Sequence, residues 1–244
     1  MKNIFGPKCG SSDSRNQDFL ENYSVEQYFK NMVDTVTPLI FDIGAHQGES
    51  VHFFKEIYPS SCIYSFEPNP DNFQILETVC SSYNSKSYEG YCKSINLALA
   101  EKNGVLPFYK QSLSHLGGLL PINNQSRDSL GYAEKAQNNI TNVKVVKLDD
   151  FCKEFNVQFI DILKIDVQGY ELYVLEGAEN ILKKCQYCIV EVSLYDFYQK
   201  STTLLDVEIL MNKSGLKLWD ISKVSKNPKN LRTDWVELVY KNSK

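Results

Sequence analysis

The residues with the clearest chemical potential in this 244-residue chain are carboxylates and glycines at the ends of apolar segments. In FDIGAHQG, Asp42 precedes a turn that runs from Gly44 to Gly48. Glycines let a ligand approach the backbone, and the start of the following helix carries a positive partial charge. The spacing is not GxGxxG, and no lysine follows as in a phosphate-binding loop. Asp42 therefore favours a cationic or amine-bearing ligand over a pyrophosphate, although a plain strand-to-helix turn also fits this pattern.

Glu67 is a second carboxylate at the end of an apolar segment, CIYSFEP, and it lies 23 residues beyond Gly44. In a parallel α/β sheet, an acidic residue at this place accepts hydrogen bonds from both hydroxyls of a ribose. Asn69 is a good helix cap, and Pro70 suits a first helical position, where an N–H has no partner. The two motifs together predict a ligand that contains a nucleoside, with a surface carboxylate as the alternative.

Asp166 and Glu191 are two further carboxylates in apolar surroundings. Asp166 ends the segment ILKID and precedes Gly169, while Glu191 lies within CIVEVS. A carboxylate in a buried strand is costly unless it is paired or functional. Such a pair can serve as general base, as metal ligands or as acceptors for substrate hydroxyls. The alternative for Asp166 is a hydrogen bond to the backbone of its own turn.

Residues 111–142 carry no convincing periodicity, and a stretch of this length inside a domain is usually a lid or a binding loop. The apolar residues 119–122 predict that part of it packs against the rest of the chain. His115 lies in this segment and is a second candidate for a general base, brought in when the lid closes. A solvent-facing loop histidine is the alternative.

These residues need a scaffold that brings strand ends together, and apolar runs alternate with helical patterns along the chain. Crossovers between parallel strands need the length of a helix, so the pattern predicts an α/β fold with a mostly parallel sheet and helices on both faces. The last two strands predict a C-terminal antiparallel hairpin, and an Asn-Gly pair predicts a hairpin between the third and fourth. The strands are predicted at 38–45, 62–68, 94–100, 103–108, 142–148, 159–166, 188–193, 215–222 and 234–241.

Helices are predicted between these strands by apolar positions at helical spacing. In the helix 170–184, Glu179 is expected to pair with Lys183, and Asp149 with Asp150 is expected to cap a short helix. Residues 1–36 are predicted to form an N-terminal extension with one helix, and residues 37–244 a single domain. The predicted helices are 16–33, 48–58, one that follows Asn69, 170–184 and 203–215.

Composition argues against several classes of protein. The apolar fraction is 43% and the charged fraction 23%, as in globular domains. A net charge of −4 argues against non-specific binding to nucleic acid. No apolar run approaches the ~20 residues of a membrane span, and the first residues show no signal-peptide pattern. Seven scattered cysteines, with one structural CxxC at 185–188, predict a reduced, cytoplasmic protein.

Five motifs in order across residues 37–193 resemble those of the FkbM-type methyltransferases: FDIGAHQGES, YSFEPNP, INLALAEKNG, VKLDDF and IDILKIDVQGYELYVLEGAENIL. The resemblance implies a Rossmann-like class I fold and S-adenosylmethionine as cofactor. It also implies O-methylation of a hydroxyl on a sugar, a glycan or a secondary metabolite. The expected partner is a small-molecule or glycan acceptor, and the chain is a possible homo-oligomer.

The resemblance also implies residue roles. The turn after Asp42 would hold the methionine part of the cofactor, Glu67 the ribose and the region around Leu97 the adenine. The family usually has Asn where this chain has His46, and Glu-Gly-Ala where this chain has residues 168–170. The implied cofactor-binding residues are Asp42, Gly44, Ala45, His46, Gly48, Ser50, Glu67, Pro68, Asn69, Asn96, Leu97, Ala98, Asp166 and Val167. The catalytic candidates are Asp166, Glu191 and His115.

Two other functions stay open from the residues alone. One is an NAD(P)-dependent oxidoreductase or epimerase on a Rossmann sheet. Two observations argue against it: the GxGxxG motif is absent, and the carboxylate of Asp42 precedes the turn. The other is a cofactor-binding scaffold without catalytic activity. A divalent metal between Asp166 and Glu191 would lack a third ligand in the sequence, so no metal site is predicted.

Overall fold

Ten strands in two sheets organise the part of the chain that the computed structural model describes, namely residues 25–85, 90–125, 139–228 and 230–243. Short runs rich in β-branched and aromatic residues form most of them, as strand propensity predicts. The strands are β1 (Leu39–Ile43), β2 (Cys62–Phe66), β3 (Tyr91–Ile95), β4 (Ala98–Leu99), β5 (Gly104–Lys110), β6 (Asn139–Val146), β7 (Ile160–Ile165), β8 (Cys185–Ser193), β9 (Leu216–Lys226) and β10 (Thr233–Asn242).

The larger sheet has seven strands in the order β3-β2-β1-β7-β8-β10-β9. The first five are parallel to one another, and β10 pairs antiparallel with both β8 and β9. This topology confirms the predicted α/β fold with a mostly parallel sheet and a C-terminal antiparallel hairpin. Because the carboxyl ends of parallel strands meet at one edge, the sheet brings the ends of β1, β2, β7 and β8 together.

The smaller sheet has the order β4-β6-β5 and was not predicted. The expected strand at 94–100 is broken after Ile95, and the expected hairpin between it and β5 is wrong because β6 lies between β4 and β5. The break lies at Asn96, whose side-chain amide donates to the backbone oxygens of Glu67 and Pro68. These bonds turn the chain out of the larger sheet before β4 begins.

Helices lie between the strands as the apolar spacing predicted. Asn69 caps α3 with its side chain, and Thr203 caps α6 in a reciprocal pair with Asp206. The helices are α1 (Val25–Lys30), α2 (Glu49–Ile57), α3 (Pro70–Asn84), α4 (Leu148–Glu154), α5 (Glu171–Glu176) and α6 (Leu204–Lys213), with 3₁₀ turns at Ser114–Leu116 and Leu182–Lys184.

The predicted helix 170–184 is wrong beyond Glu176. A side chain at Gly177 would lie 2.0 Å from the carbonyl oxygen of Ala100, and the chain turns there. Asp149, expected to cap its own helix, instead accepts hydrogen bonds from the N–H groups of residues 180 and 181. The expected pair of Glu179 with Lys183 is also wrong, since Glu179 lies 3.5 Å from Lys213.

The chain divides into two compact units, residues 1–35 and 36–244. The first contains α1, which covers part of the predicted helix 16–33; residues 16–24 lie outside the described residues. The second unit contains both sheets and the other helices. The assignment of residues 37–244 to one methyltransferase domain stays a prediction. Every described helix is too short or too polar to cross a membrane.

Buried apolar side chains on one face of the larger sheet form a core, with Phe41, Leu163 and Val190 among its fully buried members, while buried residues of the opposite face, such as Ile40 and Ile162, lie outside it. The prediction of a reduced chain is wrong at Cys80 and Cys92, which form a disulfide between α3 and β3. Their Cα atoms are 5.0 Å apart. The two cysteines of the CxxC segment are buried in β8.

The predicted lid, residues 111–142, is described in part. Residues 126–138 lie outside the described residues, and residues 139–142 belong to β6 rather than to a loop. The expected packing of its apolar part is confirmed, because Ile122 is buried against Phe197 and Tyr198. Tyr109 pairs with Gly118 in an isolated bridge, which holds the start of the segment against the end of β5.

Candidate functional site

A cavity of about 580 Å³ opens at the carboxyl edge of the larger sheet. Residues from the ends of β1, β2, β7 and β8, from the 114–119 segment and from the β9–β10 hairpin line it. Twelve predicted site residues are brought together here: Gly44, Ala45, His46, Ser50, Glu67, Pro68, Leu97, Ala98, His115, Asp166, Val167 and Glu191.

Four predicted site residues lie outside this lining: Asp42, Gly48, Asn69 and Asn96. Asn69 instead caps α3 and donates its N–H to Glu67, while Asn96 holds the backbone of residues 67 and 68. Asn69 and Asn96 therefore hold residues 67 and 68 of the lining in place without lining the cavity themselves. Sequence spacing placed them correctly near the site, but it did not distinguish lining residues from those that hold the lining in place.

The glycines of the first turn were predicted to let a ligand approach the backbone. In the structure, they instead let the turn pack closely against the rest of the protein. Gly44 has a φ of +83°, and a side chain there would lie 1.8 Å from the carbonyl oxygen of Asp166. Gly48 has a φ of +100° and faces side chains of α3. Both glycines therefore fix the position of the turn against β7 and α3.

The N–H groups of this turn are all used within the protein. The acceptors are Phe66 O for residues 44 and 45, Glu67 Oε2 for residue 46, Glu49 Oε2 for residue 47 and Ala45 O for residue 48. A phosphate-binding turn needs free N–H groups aimed at the ligand. This turn therefore supports the prediction from Asp42 and from the missing GxGxxG that the ligand is not a pyrophosphate.

Glu67 is the carboxylate that joins the first turn to the second strand. It is 5% exposed, and its two oxygens accept the N–H groups of His46 at 3.0 Å and Asn69 at 2.8 Å. Burial raises the pKa of Glu67 to about 7, against the opposing effect of these hydrogen bonds. The side chain of Asn72 also hydrogen-bonds to this carboxyl group, and the acceptor capacity that remains on its two oxygens can accept hydroxyl groups from the cavity.

Asp42 is fully buried beside Lys164, its register partner on β7. The two charges lie 3.8 Å apart, and burial raises the pKa of Asp42 to about 6 although Lys164 opposes this. Asp42 is not part of the cavity lining, although its neighbours Lys164 and Ser50 are, and a direct contact between Asp42 and the ligand stays a prediction. A lysine inside the apolar run ILKID was the signal for this pair, because a buried ammonium needs a carboxylate partner.

Asp166 and Glu191 both line the cavity, and their surroundings differ. Asp166 receives the ammonium of Lys164 at 3.4 Å on one oxygen and the amide of Gln168 at 2.9 Å on the other. Burial, together with the charge of Asp166, raises the pKa of Glu191 to about 9. The raised pKa favours the protonated form of Glu191, which suits a hydrogen-bond donor better than a base.

The turn between Asp166 and α5 is held by Glu171, which sequence analysis did not place among the site residues. One Glu171 oxygen accepts the N–H groups of Val167 at 3.3 Å and Gly169 at 2.9 Å. Burial raises the pKa of Glu171 to about 7. The carboxylate therefore fixes the loop from within, and it does not line the cavity.

His115 lies on the described part of the predicted lid, opposite the first turn. The rings of His46 and His115 are 6.4 Å apart and perpendicular. A closer contact joins the first turn to the neighbouring residue Ser114, whose hydroxyl oxygen lies 2.8 Å from His46 Nε2. Residues 114–119 line the cavity, while the role of this segment as a lid and His115 as a base stay predictions.

Charges along the cavity are mostly negative. Among the described residues that line it, five carry carboxylates, namely Glu49, Glu67, Asp166, Glu191 and Asp234, and Lys164 is the one lysine or arginine. Lys164 is itself paired with Asp42 and Asp166. The cavity therefore favours a cationic ligand over an anionic one.

The β9–β10 hairpin contributes one end of the cavity, which sequence analysis missed. Ser225, Asp234 and Trp235 lie there with Tyr195 and Phe197. A hydroxyl, a carboxylate and aromatic rings are groups that bind an uncharged polyhydroxylated molecule. No group of three or more metal-ligating side chains occurs in the described ranges of the chain.

Comparisons with known proteins point to one family. The methyltransferase FkbM domain family matches residues 42–218. The 2-O-methyltransferase NoeI of Sinorhizobium fredii is 22% identical over 186 residues, which cover 72% of this chain and 71% of that protein. The hexuronic acid methyltransferase AglP of Haloferax volcanii is 25% identical over 154 residues, which cover 63% of this chain and 55% of that protein.

A solved structure agrees with the fold. The methyltransferase FkbM from Methylobacillus flagellatus KT aligns with a TM-score of 0.57 and 16% identity, over 90% of this chain and 48% of that one. At this identity the likeness shows a common fold, which is that of the class I methyltransferases. The chain spans about half the length of this protein and of the hexuronic acid methyltransferase.

Proposed function

The chain belongs to the FkbM methyltransferase family, and we propose that it transfers a methyl group from S-adenosylmethionine to a hydroxyl oxygen of an uncharged sugar or glycan. The observation that carries this proposal is the single cavity that joins Glu67 and the first turn to Asp166 and Glu191. A donor and an acceptor bound there would lie side by side. Holding two reactants in line contributes up to about 7–11 kcal/mol in ideal cases.

The cavity fits S-adenosylmethionine in its charge and its donors. The sulfonium and ammonium groups of the cofactor suit a lining with five carboxylates and one paired lysine. Glu67 would accept the ribose hydroxyls, the apolar residues Leu97 and Ala98 would face the adenine, and the turn from Gly44 to His46 would contact the methionine part. When bound, the cofactor supplies an electrophilic methyl group.

Asp166 is proposed to accept the proton of the acceptor hydroxyl as its oxygen becomes bonded to the methyl group. Lys164 keeps a positive charge beside it, since the nearby carboxylates raise the lysine pKa although burial opposes this. Protonated Glu191 would donate a hydrogen bond to the acceptor. Such proton transfer typically contributes ~10²–10⁴-fold to a rate. His115 is the alternative base if Asp166 fails the test below.

The acceptor is proposed to be uncharged because the hairpin end of the cavity offers the carboxylate of Asp234 but no unpaired cation among the described lining residues. A carboxylate or phosphate on the acceptor would meet negative charge there, at a cost of desolvation. Aromatic side chains such as Trp235 would cover the apolar face of a sugar ring. One relative is named a 2-O-methyltransferase and another a hexuronic acid methyltransferase, which supports methylation of an oxygen and an acceptor of the sugar class. An uncharged acceptor would distinguish this chain from the second relative.

The test combines binding with product analysis. Calorimetry with S-adenosylhomocysteine and with NADH distinguishes a methyltransferase from an oxidoreductase, and we expect binding of the first alone. Labelled S-adenosylmethionine is then incubated with methyl hexosides and with the matching methyl hexuronides. Mass spectrometry should show one added methyl group on a hydroxyl of an uncharged hexoside. Binding of NADH, or preference for the hexuronides, would contradict the respective part of the proposal.

A further inference from the structure

We propose that Gln168 is a positioning residue, which together with Tyr198 holds Asp166 in the orientation that accepts the acceptor's proton. This inference rests on the proposed role of Asp166 and goes beyond it. It assigns functions to Gln168 and Tyr198, which were not among the predicted cofactor-binding or catalytic residues.

The first step is the contact between Gln168 and Asp166. Gln168 Nε2 donates to Asp166 Oδ1 at 2.9 Å, and Lys164 Nζ donates to Oδ2 at 3.4 Å. Each carboxylate oxygen thus has one donor from the protein, which fixes the plane of the group. An ionised carboxylate only accepts hydrogen bonds, so the amide nitrogen and not the amide oxygen of Gln168 must face it.

The second step is the contact that fixes the amide itself. The hydroxyl of Tyr198 donates to Gln168 Oε1 at 2.7 Å, and the carbonyl oxygen of Leu116 lies 3.1 Å away as a second acceptor. Tyr198 is 1% exposed. Burial and the negative charges of Asp166 and Glu171 raise the pKa of Tyr198, so the phenol keeps its proton. Because the amide nitrogen of Gln168 faces Asp166, its amide oxygen is left to accept the hydrogen bond from the protonated phenol, and this contact supports the same orientation.

The backbone supports the same orientation. Gln168 has a φ of +59°, in the left-handed region that residues other than glycine rarely adopt. Glu171 holds this turn through the N–H groups on both sides of Gln168. A side chain at Gly169 would lie 3.2 Å from the ring of Tyr198. The turn and the ring of Tyr198 therefore pack directly on each other, and this packing supports the orientation of the Gln168 amide toward Asp166.

Kinetics with matched variants form the first test. The variants are Gln168→Leu, Tyr198→Phe, their double mutant and the control Gln199→Leu, which removes an exposed amide next to Tyr198 and outside the cavity lining. Transfer to a methyl hexoside is measured together with the dissociation constant of S-adenosylhomocysteine. We expect Gln168→Leu to lower kcat by about tenfold or more, as for a lost hydrogen bond to a charged group, with KM and donor affinity within about twofold.

Comparison of the single and double mutants tests whether Tyr198 acts on Asp166 through Gln168. If Tyr198 acts through Gln168, Tyr198→Phe should lower kcat alone but should not lower it further in Gln168→Leu. Gln168→Leu should likewise have no added effect in Asp166→Asn. If the two reductions in kcat multiply in either double mutant, the residues act independently and the inference is overturned. A rise in the acceptor KM with unchanged kcat would also overturn it, because Gln168 would then bind the acceptor directly.

A measurement without an acceptor completes the test. The side-chain amide of Gln168 is assigned in an NMR spectrum of the full chain by its loss in Gln168→Leu. We expect Tyr198→Phe and Asp166→Asn each to shift this resonance, and Gln199→Leu to leave it in place. An unmoved resonance overturns the inference. If no hexoside is methylated, the proposed function fails, while the resonance still decides whether Gln168 positions Asp166.

Discussion

Replacement of Glu67 by alanine tests the donor end of the cavity, because this carboxylate serves the fold and the proposed ligand together. Its oxygens hold the N–H groups of His46 and Asn69, and the residue is almost fully buried. In Glu67→Ala, both N–H groups would lose their acceptor.

The magnitudes follow from these contacts. A buried donor left without a partner costs about 1–3 kcal/mol, so Glu67→Ala should lower the free energy of unfolding by about 2–6 kcal/mol. Loss of a charged acceptor for two ribose hydroxyls should weaken S-adenosylhomocysteine binding by about 2–4 kcal/mol, or about 30- to 1,000-fold. Glu67→Gln keeps one acceptor oxygen and should lie between the native protein and Glu67→Ala in both quantities.

The assay separates the two effects. Circular dichroism first establishes a temperature at which each variant is folded, and titration calorimetry with S-adenosylhomocysteine follows at that temperature. Glu77→Ala is the control, since it removes an exposed carboxylate from the same helix region outside this cavity. We expect native affinity for the control. A folded Glu67→Ala variant with native affinity would refute the proposed ribose contact.

Three further predictions follow from the site. Gly44→Ala should lower the free energy of unfolding by about 2–5 kcal/mol, because its Cβ would meet the Asp166 carbonyl at a positive φ; a melting temperature equal to that of the native protein would contradict this. The ligand-free protein should melt at lower temperature as pH rises from about 5 to 9, since burial raises the pKa of Asp42 to about 6, of Glu67 and Glu171 to about 7 and of Glu191 to about 9, and folding then stabilises the protonated forms. A stability that rises over this range would show that these groups are ionised in the fold. S-adenosylhomocysteine should bind more tightly at pH about 8 than at about 6 as Glu67 loses its proton, and Glu67→Gln should remove this difference in calorimetry.

Features set by neighbours in sequence were predictable. Asn69 caps α3 and Pro70 starts it, as their types indicated. The apolar runs that end in Glu67 and Asp166 placed both carboxylates at the same sheet edge, because parallel strands deliver their carboxyl ends together. The C-terminal hairpin followed from two strand patterns joined by a short polar loop.

Features set by residues distant in sequence were not predictable. The role of Gly44 depends on the Asp166 carbonyl, and the break at Gly177 depends on Ala100. The second sheet depends on β6 entering between two earlier strands, the later of which ends at Lys110, whereas β6 begins at Asn139. Local sequence patterns do not predict contacts between residues that are far apart in the chain.

The supports of Asp166 illustrate both cases. Lys164 had a local signal, because a lysine inside a buried apolar strand requires a carboxylate partner. Tyr198 had none, since 30 residues separate it from Gln168. Its place in the site follows from the packing of the 193–198 segment against the start of the predicted lid.

Methyl transfer by Asp166→Asn tests the central claim most directly. The change keeps the size of the side chain and removes its basicity. The asparagine oxygen can still accept a hydrogen bond from Lys164 or from Gln168, but not from both, because its amide nitrogen only donates. With a methyl hexoside as acceptor, kcat should fall by about 100-fold or more, and the dissociation constant of S-adenosylhomocysteine should stay within about twofold. Transfer at the native rate would contradict the account and direct attention to His115 as the base.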